Sequence, residues 1–484
     1  MASSRVVRVR SRSEADDGVA AELRRGVGRI QAEMEVTPDF PDEVEQAARA
    51  AAAAPRLPGL DRTDLELVTI DPPSARDLDQ ALHLERDGDG YVVHYAIADV
   101  AAFVSPGDPV DVEAHLRGET LYGADGKVPL HPTVLSEEAA SLLPDQDRPA
   151  LLWTITCDET GEGIDVTVER ALVRSRAQLD YEGAQRQIDE GSAPETLQLL
   201  RELGELRLHR EAARGGLSLP LPEQRVEVDG DRVDLEFRSM LPVEEWNAQI
   251  SLLTGFAAAS LMVYARVGLL RTLPPPDPRD VKRLHRTARA LGIEWPAEQL
   301  YPDFIRALDT EKPQQAAMVV ACTRLLRGSG YVAFDGEVPG DPQHAALASE
   351  YAHVTAPLRR LGDRYAGEVC LALCSGDDVP EWVTGQLHDL PKLLQQSGQR
   401  SRRYEREVLD LVEAALLRGR VGDRFPGVVV DADDDDPRRG TVTIADPAIE
   451  APVRSSGDLP VGEDVTVELV AADVAERRIA FQLV

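Results

Sequence analysis

The sequence has few cysteines, lacks any long apolar run and has far fewer basic than acidic residues. Its four cysteines, at positions 157, 322, 370 and 374, are too few and too scattered for a disulfide framework. Neighbouring residues complete no zinc site around the pair at 370 and 374, so all four are interpreted as core residues. No apolar run approaches the roughly 20 residues of a membrane span, and no secretory signal follows the arginine-rich start. We therefore expect a cytoplasmic protein that does not associate with membranes.

Negative charge dominates the composition, with 85 acidic residues against 53 basic ones and a formal net charge of −32. Taken alone, this excess argues against a nucleic-acid partner, because proteins that bind polyanions usually present a basic surface. The objection is limited, since net charge governs solubility and long-range steering, and a narrow basic channel can lie inside an acidic shell. Solubility or salt adaptation is an alternative reason for the acidity, so charge leaves the partner undecided.

Three sections of different character follow one another along the 484 residues, in keeping with roughly three domains. Residues 1–58 are predicted to form a helical region whose alanine-rich run makes a surface helix leading into a linker. Residues 59–417 are predicted to be α+β, with strands first and helical periodicity from Glu244 to Leu417. Within this section, Asp87-Gly88-Asp89-Gly90 predicts a hairpin, and Asp229-Gly230 predicts a turn between two strands.

The last section, residues 418–484, contains short strand patterns separated by glycine and aspartate turns, with no long helical pattern. This spacing predicts a five-stranded barrel of the OB type, a fold that commonly binds oligonucleotides. A barrel used only for packing remains an alternative. The run DADDDD at 431–436 disfavours RNA binding by that particular loop, because it would repel phosphate.

A candidate metal site lies in the stretch LVTIDPPSARDLDQAL, residues 67–82. A predicted apolar strand delivers Asp71 at its end, two prolines interrupt regular structure, and Asp77 and Asp79 precede a second apolar strand. Alternate side chains of an extended segment share a face, so these two aspartates are expected to point together, with Leu78 turned into the core. Converging carboxylates are costly unless a cation neutralises them, and Mg²⁺ takes oxygen ligands. The spacing alone also arises by chance in so acidic a chain.

Two arginine-rich stretches favour phosphate as the ligand of this site. In YAHVTAPLRRLGDRYAGE, Pro357 precedes a predicted helix that carries Arg359, Arg360 and Arg364. Cations at a helix start oppose the helix dipole, so phosphate binding explains their clustering better than stability does. The second stretch, GQRSRRYEREV at 398–408, adds four more arginines. Each stretch alone is typical of a solvated helix face, but together with the carboxylates they indicate a phosphodiester site, which commonly uses two metal ions.

At these residues the sequence resembles the ribonuclease II (RNB) family of 3′→5′ exoribonucleases, over roughly residues 60–415. The resemblance implies an RNB catalytic domain over residues 59–417, with a mixed β-sheet wrapped by helices, and an S1-like OB barrel over 418–484. It further implies a monomer that degrades single-stranded RNA to nucleoside 5′-monophosphates by a two-metal-ion mechanism, with Mg²⁺ or alternatively Mn²⁺. The motifs that carry it, in the family's order, are TIDPPSARDLDQA, YVVHYAIADVAAFVSPGDPVDVEAHLRGETLY, VPLHPTVLSEEAASLLPDQDRPAL, SRAQLDYEGA, RGGLSL, YAHVTAPLRRLGD and YEREV.

Roles for individual residues follow from the resemblance. Asp71, Asp77 and Asp79 match the family's metal and catalytic aspartates, and Arg359 matches an arginine that stabilises the phosphoryl-transfer transition state. The remaining matches are expected to contact RNA. They are Tyr181, expected to stack on the 3′ end and set the product size, Tyr122, expected to stack on a base further along the channel, Glu405, expected near the terminal nucleotide, and Arg360.

The sequence departs from the family pattern at four places. Gln80 stands where the family has a fourth aspartate, so the metal is expected to bind more weakly through an amide oxygen. Ser251 and Leu252 lie at or next to the family's missing acidic pair, which puts a ribose contact in doubt. The aromatic expected near RGGLSLPLP is missing, which would weaken the base clamp opposite Tyr122. No cold-shock barrels precede residue 60, so RNA capture is expected to differ.

Two other functions compete with a hydrolytic exoribonuclease. A non-catalytic RNA-binding regulator on the same fold could lose the aspartates, but Asp71, Asp77 and Asp79 are all present and only Gln80 favours it. A phosphodiesterase for small nucleotides would need neither stacking tyrosines nor basic helices. The sequence therefore favours the exoribonuclease.

Overall fold

The structure is a computed structural model that describes residues 19–123, 126–219, 223–229, 232–310, 312–433 and 435–484. Its helices are α1 (Val19–Glu33), α2 (Asp42–Ala53), α3 (Pro109–Arg117), α4 (Tyr181–Asp189), α5 (Glu195–Ala213), α6 (Pro242–Ala265), α7 (Pro278–Ala290), α8 (Tyr301–Arg306), α9 (Pro313–Cys322), α10 (Leu361–Ser375), α11 (Glu381–Leu387) and α12 (Leu390–Leu417).

The strands form one central sheet, a C-terminal barrel and several two-stranded sheets. They are β1 (Leu60–Asp61), β2 (Leu67–Ile70), β3 (Gln80–Asp87), β4 (Gly90–Ala98), β5 (Leu121–Tyr122), β6 (Lys127–Val128), β7 (Asp147–Cys157), β8 (Gly163–Leu179), β9 (Glu223–Asp229), β10 (Arg232–Arg238), β11 (Val267–Thr272), β12 (Gly330–Asp335), β13 (Gln343–His344), β14 (Ser349–Glu350), β15 (Arg424–Ala432), β16 (Arg439–Ile444), β17 (Ile449–Arg454), β18 (Asp464–Asp473) and β19 (Arg478–Leu483).

The central sheet has the strand order β1-β8-β2-β3-β4-β7, and β7 also pairs with β8. The long strand β8 therefore meets β7 along its first part and β2 along its last part, which joins the two sides of the sheet. The predicted hairpin is confirmed: β3 and β4 pair antiparallel with Asp87 opposite Gly90, and Gly88 takes a positive φ of 57° that favours glycine. The second predicted hairpin pairs β9 with β10, but its turn residue Gly230 lies outside the described residues.

The first two helices are more closely integrated than a surface helix and linker. Helix α1 packs on α12, and Leu23 and Val27 share a buried cluster with residues of α12 and the barrel. Helix α2 buries Val44 and Ala48 against the neighbourhood of α3 and the sheet. Within residues 19–59 the structure contains helices and no strand, and residues 1–18 lie outside the described part.

Helices dominate the second half of the main domain, as predicted, but the two-stranded sheets β11–β12 and β13–β14 interrupt them. Helix α6 packs on α5 and α10. By length and composition α6 is apolar enough to cross a membrane, which corrects the sequence expectation that no run approaches that length. Half of its most apolar stretch is buried inside the protein, and the core helix of a globular protein can have the same length and composition.

The C-terminal strands form a closed barrel in the order β15-β16-β17-β19-β18, which confirms the five-stranded prediction. Its interior is filled by alternating residues such as Val429, Val442 and Phe481. A separate apolar cluster joins α7, α8 and α9 to Val430 on the barrel. The main domain and the barrel therefore share buried surface through both α12 and this three-helix unit, while the exact domain boundaries stay a prediction.

Candidate active site

Asp71 and Tyr181 lie at one edge of the central sheet because the strands before them run parallel. Strand β2 pairs with the end of β8, with Ile70 opposite Leu179. The amide of Asp71 donates a hydrogen bond of 2.9 Å to the carbonyl of Leu179. Asp180 then caps α4, since its carboxylate accepts the amide of Gly183 at 2.7 Å, and Tyr181 is the first residue of that helix. The sheet edge therefore brings an aspartate and an aromatic ring to the same place.

The segment from Asp71 to Asp79 crosses this edge and is held by its backbone. Leu78 is fully buried, and its amide donates to the Ser141 hydroxyl at 3.0 Å. The carbonyl of Asp79 accepts the amide of Ala98, at the end of β4, at 2.9 Å. Asp77 and Asp79 flank the buried Leu78, which is the arrangement expected from the extended alternation. The two carboxylates are thus fixed by main-chain contacts on both sides.

Asp79 is the most deeply buried of the predicted site residues, with 4% of its surface exposed. One carboxylate oxygen accepts the amide of Leu358 at 2.8 Å, and the other lies 3.1 Å from Nε of Arg359. Burial raises the pKa of Asp79 to about 7, although the Arg359 guanidinium and the Leu358 amide both favour the ionised form and the nearby Asp77 opposes it. The protein therefore holds a carboxyl group that changes its charge near neutral pH.

Arg359 reaches the aspartates from a loop and not from a helix. The sequence placed it on a helix after Pro357, but α10 begins only at Leu361. The loop is fixed because the carbonyl of Arg359 accepts the amide of Thr120 at 3.0 Å. Asp79, Asp77 and Asp71 all act electrostatically on the guanidinium, yet 44% of its side chain remains exposed. Arg359 can therefore pair with Asp79 and still present N–H groups to a ligand.

The other arginines of this stretch have internal partners. Arg360 donates from Nη2 to Asp363 at 2.7 Å, and Arg364 donates to the buried Asp111 at 2.6 Å. Arg364 is itself buried, so the prediction that it binds phosphate is wrong: it ties α10 to α3. Arg360 keeps part of its surface exposed, and its predicted contact with RNA stays a prediction.

A lysine that the sequence reasoning missed contacts Asp77. Lys127 Nζ lies 2.9 Å from one oxygen of Asp77 and 3.0 Å from Glu137. The hydroxyl of Tyr122 lies 3.5 Å from the other oxygen of Asp77. Tyr122 and Lys127 stand opposite each other in the β5–β6 hairpin, so their side chains leave the same face of it. Tyr122 was expected further along the channel, but its hydroxyl lies beside the aspartate cluster.

Gln80 is the first residue of β3 and is held by a neutral phenol. Its side-chain oxygen accepts a hydrogen bond from the hydroxyl of Tyr95, which is buried. Burial raises the pKa of Tyr95 well above its usual value, so the phenol stays protonated and can donate. Ser251, which with Leu252 is expected at or next to the place of the family's acidic pair, shares a hydrogen bond of 2.9 Å with Thr355. Neutral groups therefore occupy the two positions where the sequence departs from the acidic family pattern.

Glu405 belongs to a second group of charges. Its carboxylate accepts the Ser401 hydroxyl at 3.2 Å, and burial raises its pKa to about 7. Glu119 acts on it electrostatically and raises that pKa further, and Glu119 stands opposite Arg360 in an isolated β-bridge. Arg400, from the second arginine stretch, instead donates to the carbonyl of Leu116 at 3.0 Å and so caps α3. Glu119, Lys127 and Glu137 are ionisable neighbours that the sequence reasoning missed.

A turn signal could have revealed Lys127. Gly123 and Gly126 flank the tip of the hairpin, and their backbones are joined by a hydrogen bond of 2.8 Å. Glycines at these positions predict a tight connection, and a tight connection places the preceding Tyr122 opposite Lys127. By contrast, no local pattern announces Glu119, whose partners come from residues more than 200 positions later.

The donor atoms of the aspartate cluster fit a hard divalent cation in kind. Three carboxylates and one amide oxygen, from Asp71, Asp77, Asp79 and Gln80, are the oxygen ligands that Mg²⁺ and Mn²⁺ prefer. Among the described residues, however, no three acidic, histidine or cysteine side chains form a ready-made metal cluster. Asp77 and Asp79 are instead paired with Lys127 and Arg359, so an ion would have to compete with these two protein cations.

Comparison with known proteins supports the family directly. Residues 60–372 match the RNB domain, and residues 423–484 match the RNase II-type exonuclease C-terminal S1 domain. A "probable exosome complex exonuclease RRP44" of Caenorhabditis elegans is 31% identical over 352 residues, which cover 68% of this chain and 36% of that protein. Ribonuclease R of Aquifex aeolicus is 26% identical over 456 residues, covering 86% of this chain and 63% of that protein. The chain thus spans between one third and two thirds of these relatives.

Solved structures share the fold. Ribonuclease R of Mycoplasma genitalium in complex with ribose-methylated single-stranded RNA superposes with a TM-score of 0.84 at 19% identity, covering 96% of this chain and 78% of that one. Yeast Ssd1, described as a pseudonuclease, superposes with a TM-score of 0.70 at 14% identity, covering 89% of this chain and 55% of that one. The fold by itself is therefore compatible with catalytic and non-catalytic proteins. By its sequence match and its architecture, the chain belongs to the RNB domain family and carries a C-terminal S1 domain of the ribonuclease II type.

Proposed function

We propose that the protein is an exoribonuclease that hydrolyses single-stranded RNA from its 3′ end and releases nucleoside 5′-monophosphates. One observation carries the proposal: the half-exposed guanidinium of Arg359 lies on the buried carboxylate of Asp79, with Asp71 and Asp77 around it. A cation held against carboxylates, with donors left for a ligand, suits a phosphate whose negative charge grows during reaction. The relatives' names point the same way, and the family match supplies the fold on which this site is built.

The acidic composition does not exclude RNA, because cations are concentrated locally. On α7, four exposed basic side chains are spaced three or four residues apart and so form one stripe along the helix. They are Arg279, Lys282, Arg286 and Arg289. The opposite face of α7 buries Leu284 and Ala288 in the cluster that reaches the barrel. A basic stripe beside an S1 domain is the kind of surface that attracts phosphate despite a net charge of −32.

Divalent metal would be held by Asp71, Asp77, Asp79 and Gln80. The sequence predicts that the ion is Mg²⁺ or Mn²⁺ and that two ions bind. Such an ion, when bound, lowers the pKa of a coordinated water and stabilises negative charge on phosphate oxygens. The protein's own residues would do the rest. Arg359 would bind the scissile phosphate, since its loop is fixed by Thr120 while its side chain stays exposed.

The aromatic and acidic residues around the cluster would position the 3′ end. Tyr122 and Tyr181 flank the aspartates, from the β5–β6 hairpin and from the start of α4. Stacking on tyrosine tolerates any base, which suits an enzyme that degrades RNA regardless of sequence. Glu405 and Arg360 would contact the terminal nucleotides, and ribose hydroxyl contacts of this kind distinguish RNA from DNA. Cytoplasmic localisation and a monomeric state stay predictions from the sequence.

Removing the ring of Tyr181 is expected to lengthen the limit product. In Tyr181→Ala the last nucleotides lose a stacking partner worth about 1–3 kcal/mol per base, so short RNAs should dissociate before they are cleaved. A gel of 5′-labelled RNA digested to completion measures the product length. Tyr122→Ala is the matched comparison, because its ring also lies at the cluster. If Tyr181→Ala leaves the product ladder unchanged and Tyr122→Ala lengthens it, the two tyrosines exchange their assigned roles.

Metal affinity is expected to rise with pH through about 7. Asp79 has a pKa of about 7 in the metal-free protein, so below that pH an ion must displace its proton. The dissociation constant for Mg²⁺ should increase about tenfold for each pH unit below 7 and level off above it. Calorimetry in buffers of different ionisation enthalpy counts the protons, and close to one should be released at about pH 6 and few at about pH 8. Asp79→Asn is the control, and proton release that persists in this variant would contradict the assignment.

A non-catalytic RNA-binding protein is the second candidate, and Gln80 is the observation that favours it. The amide removes one negative charge from the cluster, and the structure shows its oxygen already engaged by Tyr95. Against this, nothing obliges a regulator to keep Asp71, Asp77 and Asp79 on a fixed sheet edge beside an arginine. A phosphodiesterase for small nucleotides has no use for the basic stripe of α7.

Product identity tests the proposed reaction. Body-labelled single-stranded RNA is digested, and the released nucleotides are identified by thin-layer chromatography. Nucleoside 5′-monophosphates, 3′-monophosphates and cyclic phosphates serve as standards. The proposal expects 5′-monophosphates, together with release of a 3′-terminal label before any shortening reaches a 5′-terminal label. Binding of RNA without release of nucleotides would select the regulator instead.

A further inference from the structure

The contacts of Lys127 bear on how many metal ions the cluster can take. Its ammonium group lies between two carboxylates, 2.9 Å from Asp77 and 3.0 Å from Glu137, and only 20% of the side chain is exposed. Asp77 itself is 15% exposed. A cation that bridges two partly buried carboxylates offsets one of their two negative charges and occupies a position that a divalent ion could take.

The net negative charge of the aspartate cluster as a whole is also small. Three aspartates face two protein cations, because Arg359 pairs with Asp79 while Lys127 pairs with Asp77. The fourth ligand position is the neutral Gln80, whose oxygen already accepts a hydrogen bond from Tyr95. Two divalent ions would add four positive charges to this set. So much positive charge in a partly buried space is unfavourable unless more carboxylates compensate it.

The hairpin fixes the lysine in this position. Lys127 stands directly opposite Tyr122 in the β5–β6 register, and both side chains reach Asp77, one on each carboxylate oxygen. Two further contacts restrain this arrangement: the ion pair with Glu137 holds the ammonium group, and the hydrogen bond from Gly123 to Gly126 holds the hairpin backbone. The lysine is therefore held at the cluster by its own strand pair and by two carboxylates.

We propose that Lys127 takes the place of one of the two metal ions, so that the protein binds a single divalent ion tightly, next to Asp71 and Asp79. The lysine is then a positioning residue for Asp77 and supplies a permanent positive charge at the metal site. This inference rests on the proposed function for its catalytic consequence, but its consequence for metal binding holds whether or not the protein cleaves RNA. It replaces the two-ion expectation from the sequence with one ion and one lysine.

Counting bound Mn²⁺ tests the proposal on the intact protein. Electron paramagnetic resonance reports free Mn²⁺, so a titration gives both the number of bound ions and their affinity. The wild type should bind one ion tightly. Lys127→Met removes the competing charge, so a second ion should bind, about tenfold more tightly than any second ion binds to the wild type. Lys127→Met together with Gln80→Asp should strengthen that second site further, because it adds a carboxylate.

A matched control separates the cluster from a general loss of surface charge. Lys312 forms an ion pair of 3.2 Å with Asp309, and both side chains are largely exposed. Lys312→Met should therefore leave the number and affinity of bound ions as in the wild type. Thermal unfolding of each variant checks that it is folded. Lys127→Arg keeps the positive charge and should keep the wild-type stoichiometry.

Turnover supplies a second readout that a purely structural lysine would not change. In Lys127→Met the rate at low Mg²⁺ should fall, and high Mg²⁺ should restore it with a steeper concentration dependence, because an ion now fills the place of the lysine. Two comparably tight Mn²⁺ ions on the wild type, or an unchanged stoichiometry in a folded Lys127→Met, would overturn the proposal. If no variant cleaves RNA, the proposed function fails while the ion count still decides the role of Lys127.

Discussion

Asp79→Asn is expected to abolish RNA degradation while leaving RNA binding almost unchanged. The substitution keeps the size of the side chain, and the amide oxygen can still accept the Leu358 amide that now donates at 2.8 Å. What it removes is a negative charge at the centre of the cluster, which the metal and Arg359 both need. Degradation should fall to background in a gel assay, and the dissociation constant for single-stranded RNA, measured by fluorescence anisotropy, should change less than about threefold.

Folding should survive this substitution, which makes the result interpretable. The raised pKa of Asp79 means that its ionised form is less favourable in the folded protein than in the unfolded chain. Its contribution to stability is present below its ordinary pKa and is lost as pH rises through about 7. A neutral amide avoids that loss, so Asp79→Asn should be at least as stable as the metal-free wild type at about pH 8. Asp147→Asn is the matched control, because this aspartate pairs with Arg174 on the surface. Hydrolysis by a folded Asp79→Asn would contradict the proposed site.

Arg359→Ala is expected to lower kcat by about 10²- to 10³-fold, with a much smaller change in KM. The guanidinium is positioned by its loop before any ligand binds, so it can stabilise charge that develops on the phosphate without reorganising. Arg359→Lys should recover only part of the rate, because an ammonium group lacks the planar pair of donors that matches two phosphate oxygens. Single-turnover kinetics separate the chemical step from product release.

A surface arginine provides the comparison for this loss. Arg174 pairs with Asp147 at 2.6 Å, and both side chains are exposed. Arg174→Ala should therefore leave both kinetic constants near their wild-type values. If Arg359→Ala changes KM alone, the residue only binds substrate, and its assignment to the transition state is wrong. Loss of the ion pair also leaves Asp79 without its cation, so metal affinity must be measured in parallel.

The parts of the fold that depend on local sequence were predictable. Glycine and aspartate at Asp87 to Gly90 specify the β3–β4 hairpin, and the evenly spaced short strands after residue 418 specify the barrel. Prediction failed where long-range packing decides. The apolar length of α6 was missed, because polar residues interrupt its hydrophobic ones in the sequence. Only the structure shows that α6 is one long helix that packs on α5 and α10. The alanine-rich run was likewise expected to form a surface helix, but the helix it forms, α2, buries Val44 and Ala48 against the neighbourhood of α3 and the sheet.

The candidate site shows the same division. Asp71, Asp77 and Asp79 could be placed from strand ends and from the alternation around Leu78, and the structure brings all three to Arg359. Arg364 could not be judged, because its partner Asp111 lies some 250 residues earlier. For Lys127, the flanking glycines could have predicted that it pairs with Tyr122, but only the fold shows that this hairpin reaches Asp77. Sequence thus located the chemistry of the cluster, while its charge balance required the structure.

The departures from the family pattern form a consistent set. Gln80 and Ser251 are neutral at or next to positions where the resemblance predicts acidic residues, and Lys127 adds a positive charge beside Asp77. Each change makes the cluster less negative, and together they disfavour the binding of a second divalent cation. The weaker metal binding expected from Gln80 stays a prediction.

One assay tests the central claim most directly. Single-stranded RNA with a 5′ label is incubated with the protein and Mg²⁺, with and without EDTA, beside DNA of the same sequence, and the products are resolved on a denaturing gel. The account predicts progressive shortening of the RNA to a short limit product, no shortening with EDTA, and little or none for DNA. Intact RNA in the presence of Mg²⁺, or degradation that continues in EDTA, would contradict it.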